Sequence, residues 1–118
     1  MIVAANDPSA GQPPEEESGA AKMFGDFASG LVAFTDDVLF GQVWTRPELS
    51  PRDRSLVTVA ALTTAGNTEQ LTYHPGLARK NGATETELTE AITHLAFYAG
   101  WPRAMSAMTA AKEVFRNS

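Results

Sequence analysis

Apolar residues recur at helical spacing along most of the chain, and capping residues, glycines and prolines divide them into segments. Met23, Phe24, Phe27, Leu31 and Phe34 form the first such row, although Gly25 and Gly30 weaken it. Thr35-Asp36-Asp37 predicts the start of a second short helix through Phe40 and Trp44, with Thr35 as cap and the two acids at its positive end. Arg46-Pro47 ends it, because the residue before proline resists the α region. Ser50-Pro51 is a strong start for a helix from Pro51 to about Ala65. Leu56, Val57, Val59, Ala60, Ala61 and Leu62 cover so much of its circumference that it is expected to be buried on most sides, partly by another subunit. Its β-branched residues also allow a strand, but its length and cap favour a helix.

Gly66-Asn67 breaks the chain, and Thr68 is expected to cap a helix reaching Asn81-Gly82. Pro75 lies inside that span, so a kink near His74 or an irregular turn is predicted. Thr84 and Glu87 have the spacing of a capping box. The helix they begin presents Leu88, Ala91, Ile92, Leu95, Ala96 and Ala99 on one face and stops at Gly100. Pro102 begins a last helix with Met105, Met108, Ala111 and Phe115 as its expected buried stripe. No segment alternates as a strand does. The pattern predicts an all-α chain.

Residues 1–19 differ from the rest. Pro8, Pro13, Pro14 and the run Glu15-Glu16-Glu17 leave little to bury, so a flexible N-terminal tail is expected, followed by one compact domain over 20–118. A domain of this size exposes much of its surface, and oligomerisation is a common remedy. A net charge of -5 argues against a nucleic-acid partner, which would require clustered Lys and Arg. Arg46, Arg52 and Arg54 form the one local basic group, either a solvated helix start or an anion site. The start of the chain has no basic segment and too short an apolar run for a signal peptide, and no stretch reaches the ~18 apolar residues of a membrane helix. A cytoplasmic protein without a membrane partner is expected.

The chain has no cysteine. Thiolate metal sites, disulfides and cysteine nucleophiles are therefore excluded. Of the remaining groups, His74 titrates nearest neutrality and can donate or accept a proton. Gln70 is one turn earlier on the same expected helix face, while Tyr73 is expected to point elsewhere. A core histidine held by a hydrogen bond is the competing reading. His94 stands one turn after Glu90 and one turn before Tyr98, a relay or an ordinary polar row. The two histidines without an acidic pair make a weak metal case, and no metal is expected. Trp44 and Trp101 sit at helix ends beside Arg46 and Arg103, as a wall for an anionic organic substrate or as edge packing.

Four stretches resemble the carboxymuconolactone decarboxylase family. Trp44-Thr45-Arg46-Pro47-Glu48-Leu49 with Arg54 and Leu56 is similar to the family's W-x-R-P-x-L-x-x-x-x-R-x-L. Gln70-Leu71-Thr72-Tyr73-His74 resembles its E/Q-L-x-x-H, and Asn81 to Glu90 its N-G-x-T-x-x-E-I-x-E. Tyr98-Ala99-Gly100-Trp101-Pro102-Arg103-Ala104 resembles its Y-x-G-x-P-x-A. The resemblance runs from about Phe24 to Phe115.

It implies an alkylhydroperoxidase D-like helical bundle assembled as a homotrimer or homohexamer. The thiol-peroxidase branch of that superfamily uses a C-x-x-C pair, whose positions here hold Asn67 and Gln70, so that chemistry is ruled out. The activity then implied is cofactor-free decarboxylation of γ-carboxymuconolactone in protocatechuate breakdown, or proton transfer on a related anionic lactone. His74 would supply the proton, and Gln70 would orient it or the lactone. Arg54 or Arg46 would hold a carboxylate or the growing oxyanion, and Trp44, Tyr98 and Trp101 would contact the substrate. Decarboxylases of the family usually carry Glu where this chain has Gln70, and Pro75 directly after the histidine is unusual. A lactone hydrolase or a non-catalytic binding protein on the same scaffold are the alternatives.

Overall fold

A computed structural model describes residues 17–117, so the first sixteen positions of the expected tail lie outside the described residues. The chain divides into two compact units, Met1–Glu48 and Leu49–Ser118. Among the described residues every regular element is helical and none is a strand. None of these helices is long and apolar enough to cross a membrane.

In the first unit, α1 (Gly19–Phe24) is capped by Ser18, whose Oγ accepts from the Ala21 amide at 3.0 Å and donates to Asp36 Oδ2 at 2.9 Å. Gly25, with φ of +42°, ends the helix in a conformation that L side chains rarely adopt. A short α2 (Ser29–Ala33) then runs directly into a π-helical stretch, Phe34–Val43. The expected helix start at Thr35 is therefore corrected. Its hydroxyl donates to the Leu31 carbonyl at 2.7 Å from inside a continuous helix, and it caps nothing. The wide turn shows at its end, where the Trp44 amide bonds the Leu39 carbonyl five residues back. Gly41 permits that winding, because a Cβ there would stand 3.0 Å from the Asp36 carbonyl oxygen. Trp44 is buried and stacks on Phe40 with centroids 5.6 Å apart.

The second unit is a helical bundle. α3 (Pro51–Ala65) begins where the sequence predicts, with Ser50 Oγ accepting from the Asp53 amide at 3.1 Å and Pro51 in the first turn. Gly66, with φ of +75°, closes it. Its buried residues Ser55, Val59 and Thr63 recur every four positions, as one stripe. Val57 and Ala61 stay exposed, so within this chain α3 is not buried on most sides. A 3₁₀ turn (Gln70–Thr72) and a short α4 (His74–Lys80) replace the single helix expected from Thr68. Pro75 has no N–H to give and suits a first turn, so α4 starts at His74 rather than running through it.

α5 (Glu85–Ala99) has the full capping box, with the Glu87 amide donating to Thr84 Oγ1 and the Thr84 amide to Glu87 Oε1, both at 3.0 Å. Leu88, Ile92 and Ala96 are its buried face. α6 (Trp101–Arg116) packs along α5 and buries Ala104, Ala107 and Ala111. Met105, expected in the core, is exposed; Ala104, Ala107 and Ala111 take the buried face of α6, and the longer side chain points out. The core joins these faces with Leu71, Ala78 and Ala83. Asn81 Nδ2 donates to the fully buried Ser55 Oγ at 2.9 Å, tying the end of α4 to α3.

Arg52 also crosses from α3 to α5. Its guanidinium donates to both oxygens of Glu87, with Nη2 2.5 Å from Oε2, and contacts Asp53. The Arg52 side chain and the Thr84 amide together hold the Glu87 carboxyl well below its ordinary value, at about 2. A depressed acid stabilises the fold above its unfolded pKa, and that stability is lost as pH falls through the folded one. An acid titration followed by circular dichroism is therefore expected to show native stability falling between about pH 4.5 and 2. Glu87→Gln should flatten that part of the curve; an unchanged curve would mean that other carboxylates govern it.

Candidate active site

His74 is the first residue of α4, at the joint between the 3₁₀ turn and the helix. Buried Leu71 anchors the turn, and buried Pro75, Leu77 and Ala78 anchor the helix, so the histidine is held from both sides. Its ring is half-buried. Burial pushes the imidazole below its ordinary pKa, which keeps it neutral at pH 7. Tyr73 packs edge-on to it, with centroids 5.0 Å apart and planes at 84°. Tyr73 was expected to point elsewhere, on the assumption of one continuous helix. The break between the two elements brings the adjacent rings together instead. Partial burial raises the Tyr73 phenol, which remains a neutral hydrogen-bond donor at pH 7.

The same break changes the place of Gln70. It is exposed and belongs to the 3₁₀ turn, where residues three apart align, so its register is with Tyr73 rather than with His74. Arg54 lies in the first turn of α3, and its Nε donates to the Leu49 carbonyl at 3.2 Å. Arg52, its neighbour in the basic group, is engaged with Glu87 and Asp53 and has a structural role. Tyr98 is exposed beside His94, with centroids 5.0 Å apart. Trp101 is exposed and edge-on to Phe97 at 5.3 Å. Trp44 and Arg46 belong to the first unit, where Arg46 lies 3.8 Å from Glu48. Among the described residues, no group of three His, Asp or Glu side chains is placed to hold a metal ion.

A profile of the carboxymuconolactone decarboxylase family matches residues 30–113. The 4-carboxymuconolactone decarboxylase of Acinetobacter baylyi is 40% identical over 92 residues, covering 78% of this chain and 69% of that protein. The chain belongs to the carboxymuconolactone decarboxylase family. The nitrosuccinic acid decarboxylase of Metarhizium robertsii is a further relative, 39% identical over 69 residues. That alignment takes in 58% of this chain, which spans about half the length of the fungal protein, 48%. Both relatives carry decarboxylase names, which supports a carboxy-lyase activity for this family member. The profile spans His74 and every second-unit residue expected at the site, from Arg54 to Trp101.

Proposed function

We propose that this protein decarboxylates a small organic acid whose carboxyl-bearing carbon is joined to an electron sink, with γ-carboxymuconolactone as the first substrate to test. The observation that carries the reading is His74, a half-buried imidazole held at the joint between the 3₁₀ turn and α4 beside a phenol. The relatives' names give the substrate class its shape. In carboxymuconolactone the sink is the conjugated lactone carbonyl, and in nitrosuccinic acid it is the nitro group. Because the sink is part of the substrate, the reaction needs no resident cofactor.

The carbon–carbon bond to the carboxylate breaks and carbon dioxide leaves. The electron pair spreads through the double bond onto the lactone oxygen as a dienolate. One proton then moves from the His74 imidazolium to carbon, giving the enol-lactone, and solvent reprotonates the ring. The protein accelerates this by stabilising the charge on oxygen and delivering the proton. Arg54 is the cation assigned to the anionic substrate, and Gln70, Tyr98 and Trp101 are assigned to its positioning. The exposed apolar side chains of Phe97, Trp101 and Met105 support assembly into a homo-oligomer, which would cover them.

The deciding experiment supplies γ-carboxymuconolactone and follows released carbon dioxide together with the product. Stoichiometric carbon dioxide and enol-lactone support the reading. Lactone opening with the carboxylate retained would make the protein a hydrolase, and no turnover of this acid or of nitrosuccinate would make it a binding protein. The depressed His74 adds a pH signature. Donation requires the protonated ring, so kcat/KM is expected to fall as pH rises through a pKa below 6.5. A bound anionic substrate favours imidazolium, so the corresponding limb of kcat should lie at higher pH. Coincident limbs would show that the titrating group does not face the substrate's charge.

A further inference from the structure

The three helical segments of the first unit bury none of their residues. Short helices are marginal in water, and in proteins most helical stability comes from covering an apolar face. The face is present here and uncovered. Phe27 is 93% exposed, Met23 73% and Phe34 69%, and Leu31, Val38, Leu39 and Val43 are exposed with them.

The backbone gathers these side chains. α1 packs back on α2 after the bend at Gly25, and the hydrogen bond from Ser18 to Asp36 closes the pair as a hairpin. Leu31 and Phe34 stand three residues apart, on one side of the helix. Beyond Phe34 the winding widens, and in a π-helix residues four or five apart fall in line. Phe34, Val38, Leu39 and Val43 therefore share a side. Ordinary α winding would set Val43 on the opposite side from Phe34. Thr35, Asp36, Asp37, Phe40 and Gly41, which lie between the exposed positions, are all half-buried, as that register requires. The row holds no charged side chain, and Gln42 is the polar residue beside it. Large apolar side chains carry about 150–250 Å² each, so at these exposures the seven offer an area on the order of 800 Å². Each partner in a stable protein–protein interface contributes about that much. Exposed apolar patches of this extent mark interaction surfaces.

We infer that the first unit pairs with the first unit of a second copy, hairpin against hairpin about a two-fold axis, with Leu31, Phe34 and Val38 within the contact. Its charge pattern favours a second copy over another partner. A two-fold contact uses the same patch on both sides, and a row without charges meets itself with no like charges opposed. Two helical hairpins packed face to face also make a four-helix arrangement, a stable way of closing their apolar sides. A lipid surface fits less well. The described part of this unit carries more acidic than basic side chains, whereas interfacial helices are rich in Lys and Arg. The contact is separate from the one that Phe97, Trp101 and Met105 support, so it doubles whatever assembly those side chains form. It does not depend on the decarboxylase reading.

The test is sedimentation equilibrium of the full-length protein and of the double variant Phe27→Glu, Phe34→Glu. Glutamate is a good helix former, and it sets like charges against each other across the axis. The expected result is a halved assembly mass. The substitutions leave the bundle intact, because its core is drawn from the second unit alone. A second measurement mixes isotope-labelled with unlabelled wild-type copies. Intermolecular NOEs are expected between methyl groups of Met23, Leu31 or Val38 in one copy and the ring of Phe27 or Phe34 in another. They should persist in Phe97→Ala, which touches only the other face. Three results would overturn the proposal: an unchanged mass in the double variant, no intermolecular NOE within the row, or NOEs from these methyl groups to Phe97 and Trp101 in their place.

Discussion

His74→Ala is expected to lower kcat for decarboxylation by about 10²–10⁴-fold, the usual contribution of a positioned proton donor. Helical content and assembly should stay as they are. The expectation rests on where the backbone places this ring. His74 opens α4, and the buried side chains that fix the joint are Leu71, Pro75, Leu77 and Ala78. The imidazole itself is only half-buried and is not part of the core formed by those neighbours. Removing it takes away the proton and leaves the scaffold. Two further variants locate the effect. His74→Gln keeps a polar group without a titrating proton, so it should be about as inactive as the alanine variant. Tyr73→Phe keeps the edge contact at 5.0 Å and loses only the phenol, so it should cost less. Were His74→Ala to retain full turnover, the histidine would be a packing residue and the proton would come from elsewhere.

The elements that were legible in the sequence are those that close locally. Ser50-Pro51 and Thr84 with Glu87 begin α3 and α5 where the sequence places them, because a cap is satisfied within three residues and needs no tertiary partner. Pro75 announced an irregular turn near His74 for the same local reason. The misreadings are of two kinds. Thr35 has the composition of a cap but lies inside a continuous helix, where its hydroxyl bonds the Leu31 carbonyl and Gly41 makes room for the wide turn that follows. Met105 was assigned to the core by its size, whereas the close packing of α5 on α6 takes the alanines.

The candidate site was half legible. His74 stands out as a titratable group beside a proline, but its nearest aromatic partner could not be seen while the span from Thr68 to Asn81-Gly82 was read as one helix. A break into two elements rotates every side chain before it relative to those after it. Arg52 shows the converse. It shared a basic cluster with Arg46 and Arg54, and only the fold reveals that Glu87, thirty-five residues away, engages it. Arg103 was legible as a cation beside Trp101. The approach of its guanidinium to Gly66 was not, since the two stand thirty-seven residues apart in the chain.

Leu88→Ala is expected to destabilise the protein by about 2–5 kcal/mol, the range for truncating a large aliphatic side chain in a core. Leu88 is fully buried in the first turns of α5. α5 packs on both α3 and α6, so a void there loosens the three longest helices together. Small domains have total stabilities of about 5–15 kcal/mol, so a loss of this size should be plain in a denaturation curve. Phe97→Ala is the informative control on the same helix. Phe97 is 74% exposed within the chain, so a monomer should tolerate its truncation to within about 0.5 kcal/mol. In an assembly that covers Phe97 and Trp101, the same change should cost far more, and its cost should shrink toward the monomer value as the protein is diluted and the copies separate. Comparing the two variants at two protein concentrations therefore separates what α5 contributes to its own bundle from what it contributes to a neighbouring copy. A small, concentration-independent effect of Phe97→Ala would place the apolar corner of α5 and α6 outside any subunit interface.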